Sequence, residues 1–116
     1  MQRSIFRRLT SKRTPRAVRL AKIDPANEPW QWNRLLIVVA SVVEVLRSQP
    51  GIGRRKLRLA VRSLRGKCTD SDTDAAVLML GPAIHTTIGP RGDHHYTLEL
   101  VLAPPKVRAY FESSGA

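Results

Sequence analysis

The chain is poor in sulfur and aromatics, and its first 22 residues carry no acid. A lone cysteine, Cys68, excludes an intramolecular disulfide and leaves no cysteine framework for zinc; it fits a reducing interior. The longest apolar run, Leu35 to Val43, is interrupted by Ser41 and falls far short of the ~20 residues a membrane span needs. No segment has the apolar character of a secretory signal. The phosphate-cradling pattern GxxxxGK(S/T) is missing, and Gly51-Ile52-Gly53 lacks both a third glycine and a preceding strand. Glu99 and Glu112 make no acid–base pair, and Ser63 or Ser71 with a histidine makes no triad. His94 and His95 are adjacent, so on a strand they point to opposite faces and converge poorly with His85 on a metal. These absences together predict a non-enzyme with no cofactor, no metal and no membrane segment.

What is present is positive charge. Twenty Lys and Arg stand against nine Asp and Glu, a net charge of +11 with pI near 11.3 in 116 residues. That length holds one modest core. The charge favours a polyanionic partner: DNA, RNA or an acidic surface. Met1 to Lys22 includes Arg3, Arg7, Arg8, Lys12, Arg13, Arg16, Arg19 and Lys22, and Pro15 interrupts helix there. It reads as a solvated basic arm that tracks phosphates without reading sequence. An arginine-rich, acid-poor start also resembles a mitochondrial transit peptide, but the rest of the chain is equally basic.

Ile23 to Asn33 reads as a linker with a helix entry near Asn27 or Glu28, and Trp30 and Trp32 as core anchors. Leu35 to Ser48 predicts a helix with Leu35, Val39, Val42, Val43 and Leu46 on one face. Val38 and Val45 fall on another face, where with Tyr110 and Phe111 they could meet a second subunit. Gly51 to Gly53 predicts a sharp turn into RRKLRLAVRSLR, Arg54 to Arg65. There Leu57, Ala60, Val61 and Leu64 share a buried side, and Arg54, Arg58, Arg62 and Arg65 form a stripe beside it. Gly66 can end this helix; Thr69, Asp70 and Ser71 can cap another, which Gly81-Pro82 stops. Two strand-like runs follow, Ile84–Ile88 and His94–Val101, joined by the turn Gly89-Pro90-Arg91-Gly92-Asp93. Pro104-Pro105 ends the last strand, and the tail after it could dock through Tyr110 and Phe111.

Helix, turn, helix and basic-tipped hairpin resemble the winged helix-turn-helix domains of bacterial regulators and plasmid or phage replication proteins. The resemblance rests on PGIGRRKLRLAV, DAAVLML and GPRGDHHYTL, within Trp32 to Leu102. It implies an α+β fold of three helices plus a β-hairpin wing, here with a basic N-terminal arm. The expected organisation is an arm and linker over 1–29, the domain over 30–103 and a tail over 104–116. The resemblance also implies recognition by the second helix of the pair. This chain departs from that, because TDSDTD places Asp70, Asp72 and Asp74 at its start and no cation follows through Leu80.

The expected duplex-DNA contacts are therefore Arg54, Arg55, Arg58, Arg62, Arg65, Lys67 and the wing's Arg91. The arm adds Arg7, Arg8, Lys12, Arg13 and Arg16. About six phosphate contacts would make log K fall with log salt at a slope near −5. The expected role is transcriptional regulation or plasmid or phage replication and maintenance, in the cytoplasm at the nucleoid. Two rivals share the composition: an RNA-binding or ribosome-associated protein, and a protein-interaction module or homodimer using the acidic turn and spare apolar residues.

Overall fold

Near-continuous apolar sequence makes the spine of the molecule. The computed structural model describes residues 15–113, and at its centre α2 (Pro29–Ser48) runs for 20 residues. Proline at its first position needs no backbone hydrogen-bond donor, and Gln49 closes the far end through its N–H to Val45 O at 2.8 Å. Leu35, Leu36, Val38, Val39, Val42, Val43, Val45 and Leu46 are all buried. A helix apolar on nearly every side must be covered on nearly every side. Ser41, buried among them, returns its hydroxyl to Ile37 O at 3.2 Å. The helix thus begins six residues before the expected Leu35, and Val38 and Val45 are core rather than spare surface. Trp32 packs against the core, but Trp30 is 68 % exposed and anchors nothing.

The covering elements are α1 (Arg16–Ala21), α3 (Arg54–Arg65), α4 (Asp70–Leu80) and α5 (Pro105–Ser113), with a small sheet of β1 (Ile52–Gly53), β2 (Ile84–Ile88) and β3 (His94–Leu98). The sheet is antiparallel in the order β1-β3-β2, with Ile52 opposite Tyr96 and Thr86 opposite Tyr96 from the other side. The architecture is α+β. The expected turn at Ile52-Gly53 is a two-residue strand, because Gly51 N–H bonds Tyr96 O at 2.9 Å and draws the segment onto β3. The expected strand end at Val101 moves back to Leu98, since Leu100–Leu102 curls into a 3₁₀ turn.

Both ends of the described chain belong to this core. Pro15 does not interrupt a helix; it caps one, its carbonyl accepting Arg19 N–H at 3.1 Å. Leu20 of α1 is buried, with Ala17 and Ala21 packed beside it, so Arg16 sits on a docked helix rather than a free arm. Arg7, Arg8, Lys12 and Arg13 lie outside the described residues. At the other end α5 buries Val107 and Phe111, and the Tyr110 and Phe111 rings meet edge to face at 5.2 Å. Leu20 before residue 29 and Val107 and Phe111 after residue 103 thus share one core cluster.

α3 packs through Leu57 and Val61, both fully buried, while Leu64 is 50 % exposed against expectation. Every residue from Arg62 to Lys67 is exposed, so the last turn of α3 projects beyond its neighbours and its apolar periodicity meets nothing. Gly66 then takes φ +76°, which an L side chain rarely adopts, and its N–H closes on Arg62 O at 2.7 Å.

Candidate nucleic-acid interface

The acidic start of α4 organises the charges around it. Thr69 is its cap: Thr69 Oγ1 accepts from Asp72 N–H at 3.1 Å, and Asp72 Oδ2 accepts from Thr69 N–H at 3.2 Å. This reciprocal box satisfies two backbone donors and places an acid where the helix dipole favours one. Asp72 is buried and meets Arg34 of α2 at 3.1 Å; its Oδ1 has no hydrogen-bond partner among the described residues. Arg34 is steered there by a bond from Nε to Gln31 Oε1 at 2.8 Å.

The other two acids turn toward α3. Arg58 grips Asp74 with two hydrogen bonds, Nε to Oδ1 at 3.1 Å and Nη2 to Oδ2 at 2.6 Å. That bidentate bond holds the Arg58 guanidinium further above its ordinary value. Arg62 reaches Asp70 at 2.6 Å. Thus each aspartate of the TDSDTD turn has its own arginine, and two arginines expected to face phosphate face these acids instead. The same geometry turns most of α4 inward. It lies against α1, α2 and α3, burying Asp72, Thr73, Ala75, Ala76, Met79 and Leu80, and Asp70 and Leu78 are its exposed residues.

Positive charge is left free at the other end of α3. An open groove of about 790 Å³ runs between the start of α3 and the hairpin tip, and Arg54, Arg55, Lys56, Arg58, Arg91, His94 and His95 line it. Arg54 donates from Nη2 to His94 Nδ1 at 2.8 Å, a bond that positions the guanidinium without neutralising it. Arg55, Lys56 and Arg91 have no ion-pair partner among the described residues. No acidic residue lies in the first turn of α3, so its free N–H groups add to the positive field.

One acid lines the groove, Asp93, and it is engaged. Its carboxyl is held below the usual range chiefly by a hydrogen bond to its own backbone N–H, with His95 adding to the effect. His95 Nε2 lies 2.5 Å from Asp93 Oδ2, and its Nδ1 lies 3.1 Å from Gly51 O. This ties the hairpin tip to the turn before α3. Gly89 makes the tie possible, since a Cβ there would sit 2.7 Å from Asp93 Oδ1. Because the Asp93 value is depressed, whatever this contact contributes is present above the ordinary carboxylate range and is lost only as pH falls through the lowered value.

The expected contact residues therefore separate. Arg54, Arg55 and Arg91 converge on the groove. Arg58 touches it but is bound to Asp74, and Arg62 is bound to Asp70. Arg65 and Lys67 line a different, smaller cleft of about 180 Å³ with Arg34, Ile37, Val38 and Cys68. Burial there pushes the Cys68 thiol up, making it a poor nucleophile. Lys56 was missed because it breaks the arginine spacing, although its place in the first turn after PGIGRR was the available signal. Arg34 was missed because its partner is distant in sequence.

No protein-family model, curated protein or solved structure matches the chain. Its own geometry carries the functional reading. Among the described residues no helix is long and apolar enough to cross a membrane, and no three His, Cys, Asp or Glu side chains are grouped to hold a metal ion.

Proposed function

We propose that this is a winged-helix DNA-binding protein that grips duplex DNA with the start of α3 and the tip of the β2–β3 hairpin. The observation that carries the reading is the open groove in which Arg54, Arg55, Lys56 and Arg91 converge around one already engaged acid. The element order, helix–strand–helix–helix–strand–strand with the sheet ordered β1-β3-β2, supports the winged-helix assignment. The role would be transcriptional regulation or plasmid or phage replication, at the nucleoid. Four free cations rather than six lower the expected dependence of log K on log salt to a slope of about −3.6 for the folded part.

Fluorescence anisotropy of the full chain against random-sequence duplex DNA and an RNA hairpin, across a salt series, tests this. Arg55→Glu with Arg91→Glu is expected to weaken duplex binding roughly 30-fold at 0.15 M salt and to flatten the slope by about 1.8. Arg58→Glu should cost less, because Arg58 is already committed to Asp74. Equal loss for both variants, or clear preference for the hairpin, would sink the reading and favour an RNA-binding protein.

A further inference from the structure

The sheet has one long unpaired edge, and we propose that it is where a second copy of this chain binds, β2 against β2 in antiparallel register about Thr86. β2 pairs with β3 on one side and with no strand among the described residues on the other. The bonds Gly89 N–H to Asp93 O and Glu99 N–H to Ala83 O set the phase of that ladder: odd-numbered residues of β2 bond β3. The N–H and C=O groups of Thr86 and Ile88 and the C=O of Ile84 therefore point outward, unpaired among the described residues, while the Ile84 N–H closes the preceding turn on Gly81 O.

Natural edges are usually protected by a lysine, a proline or an inward charge. Ile84-His85-Thr86-Thr87-Ile88 has none of these. The strand also complements itself. With Thr86 opposite Thr86 of the other copy, Ile84 meets the copy's Ile88 and Ile88 meets its Ile84. Ile88 is 62 % exposed in the single chain, and Thr86 borders a cavity of about 360 Å³ floored by Ala17, Val77 and the exposed Leu78. A paired strand would cover that shelf.

Charge argues for a copy at this edge and against a copy elsewhere. Two chains of +11 repel each other, and β2, without Lys, Arg, Asp or Glu, offers five unpaired backbone groups. The two-fold axis of such a pair stands perpendicular to the sheet, so both copies present the same sheet face and their hairpin tips lie at opposite ends of the pair. Their separation along the strands, about 3.3 Å per residue from Thr86 to each tip, is roughly 30 Å. That is close to one helical turn of duplex, ~34 Å. Only this last match rests on the DNA reading; the pairing itself does not.

Sedimentation velocity of the full chain without nucleic acid, over a wide concentration series, reads the pairing apart from DNA binding. The wild type should sediment as two 13.0 kDa chains. Thr86→Pro removes an N–H that points away from β3, so the hairpin keeps its ladder while the dimer is lost; Thr86→Val keeps the N–H and should stay dimeric. A wild type that is monomeric throughout, or a Thr86→Pro variant that dimerises unchanged, overturns the proposal. Thr86→Cys gives a second readout if the proline variant misfolds. A directly opposed, hydrogen-bonded pair has Cα atoms ~5.5 Å apart, within disulfide range, so mild oxidation should link two chains through residue 86. Linkage no faster than that of Val101→Cys, an exposed site off the strand, also overturns it.

Discussion

Replacing Asp70 and Asp74 together with asparagine should tighten binding to random duplex DNA roughly tenfold at 0.15 M salt and steepen the salt slope by about 1.8. In the folded chain these carboxylates hold Arg62 and Arg58 at 2.6 Å each. An arginine closed on a carboxylate releases little counterion from DNA, because its charge is already balanced. Neutralising the acids returns two cations to the surface of α3, beside the groove that Arg55, Lys56 and Arg91 already line. The half-exposed Arg62–Asp70 pair should cost about 0–1 kcal/mol, and the part-buried, bidentate Arg58–Asp74 pair about 1–2 kcal/mol. Anisotropy in a salt series measures both quantities on one sample. Unchanged affinity and slope would mean that α3 does not face the nucleic acid, leaving the hairpin and the chain's start as the contact surfaces.

The largest effect of a single substitution on stability should come from Asp72→Ala, about 2 kcal/mol read as a drop in the urea midpoint followed by circular dichroism. Its buried carboxylate does two tasks at once, accepting a bond from Thr69 N–H and pairing with Arg34, whose side chain is 37 % exposed. Truncation leaves the Thr69 N–H without its partner and leaves the Arg34 guanidinium only its bond to Gln31 Oε1. Thr69→Ala removes only the other half of the capping box and should cost about 1 kcal/mol. A smaller loss for Asp72→Ala than for Thr69→Ala would show that the Arg34 pair contributes nothing. The orphaned Oδ1 of Asp72 is consistent with a group kept for position: it locks the start of α4 against α2 and so fixes where Asp70 and Asp74 meet α3.

Much of the fold could be read from local pattern. The apolar run of α2, the Arg54–Arg65 helix, the α4 cap and the hairpin around Pro90 to Gly92 all follow from residue spacing and from proline and glycine placement. Those signals act over a few residues, so the chain alone determined them, together with its net charge of +11. What local spacing could not convey was which surfaces remain open. Val38 and Val45 looked available because helical periodicity assigns a face without saying what covers it. Trp30 looked buried because a large aromatic ring usually is, yet it stands where α2 has outrun its neighbours. Pro15 looked like a break, but a proline is also a permitted residue just ahead of a helix.

The charges show the difference most clearly. Sequence determined that α3 carries an arginine stripe and that α4 begins with three aspartates. It could not determine that Arg58, 16 residues from Asp74, closes on it with two hydrogen bonds, because ion pairs are selected by distance in space. Tertiary packing decided which arginines are spent internally and which stay free for a partner. It also left β2 with an uncovered edge, since the chain supplies no fourth strand among its described residues to complete the sheet.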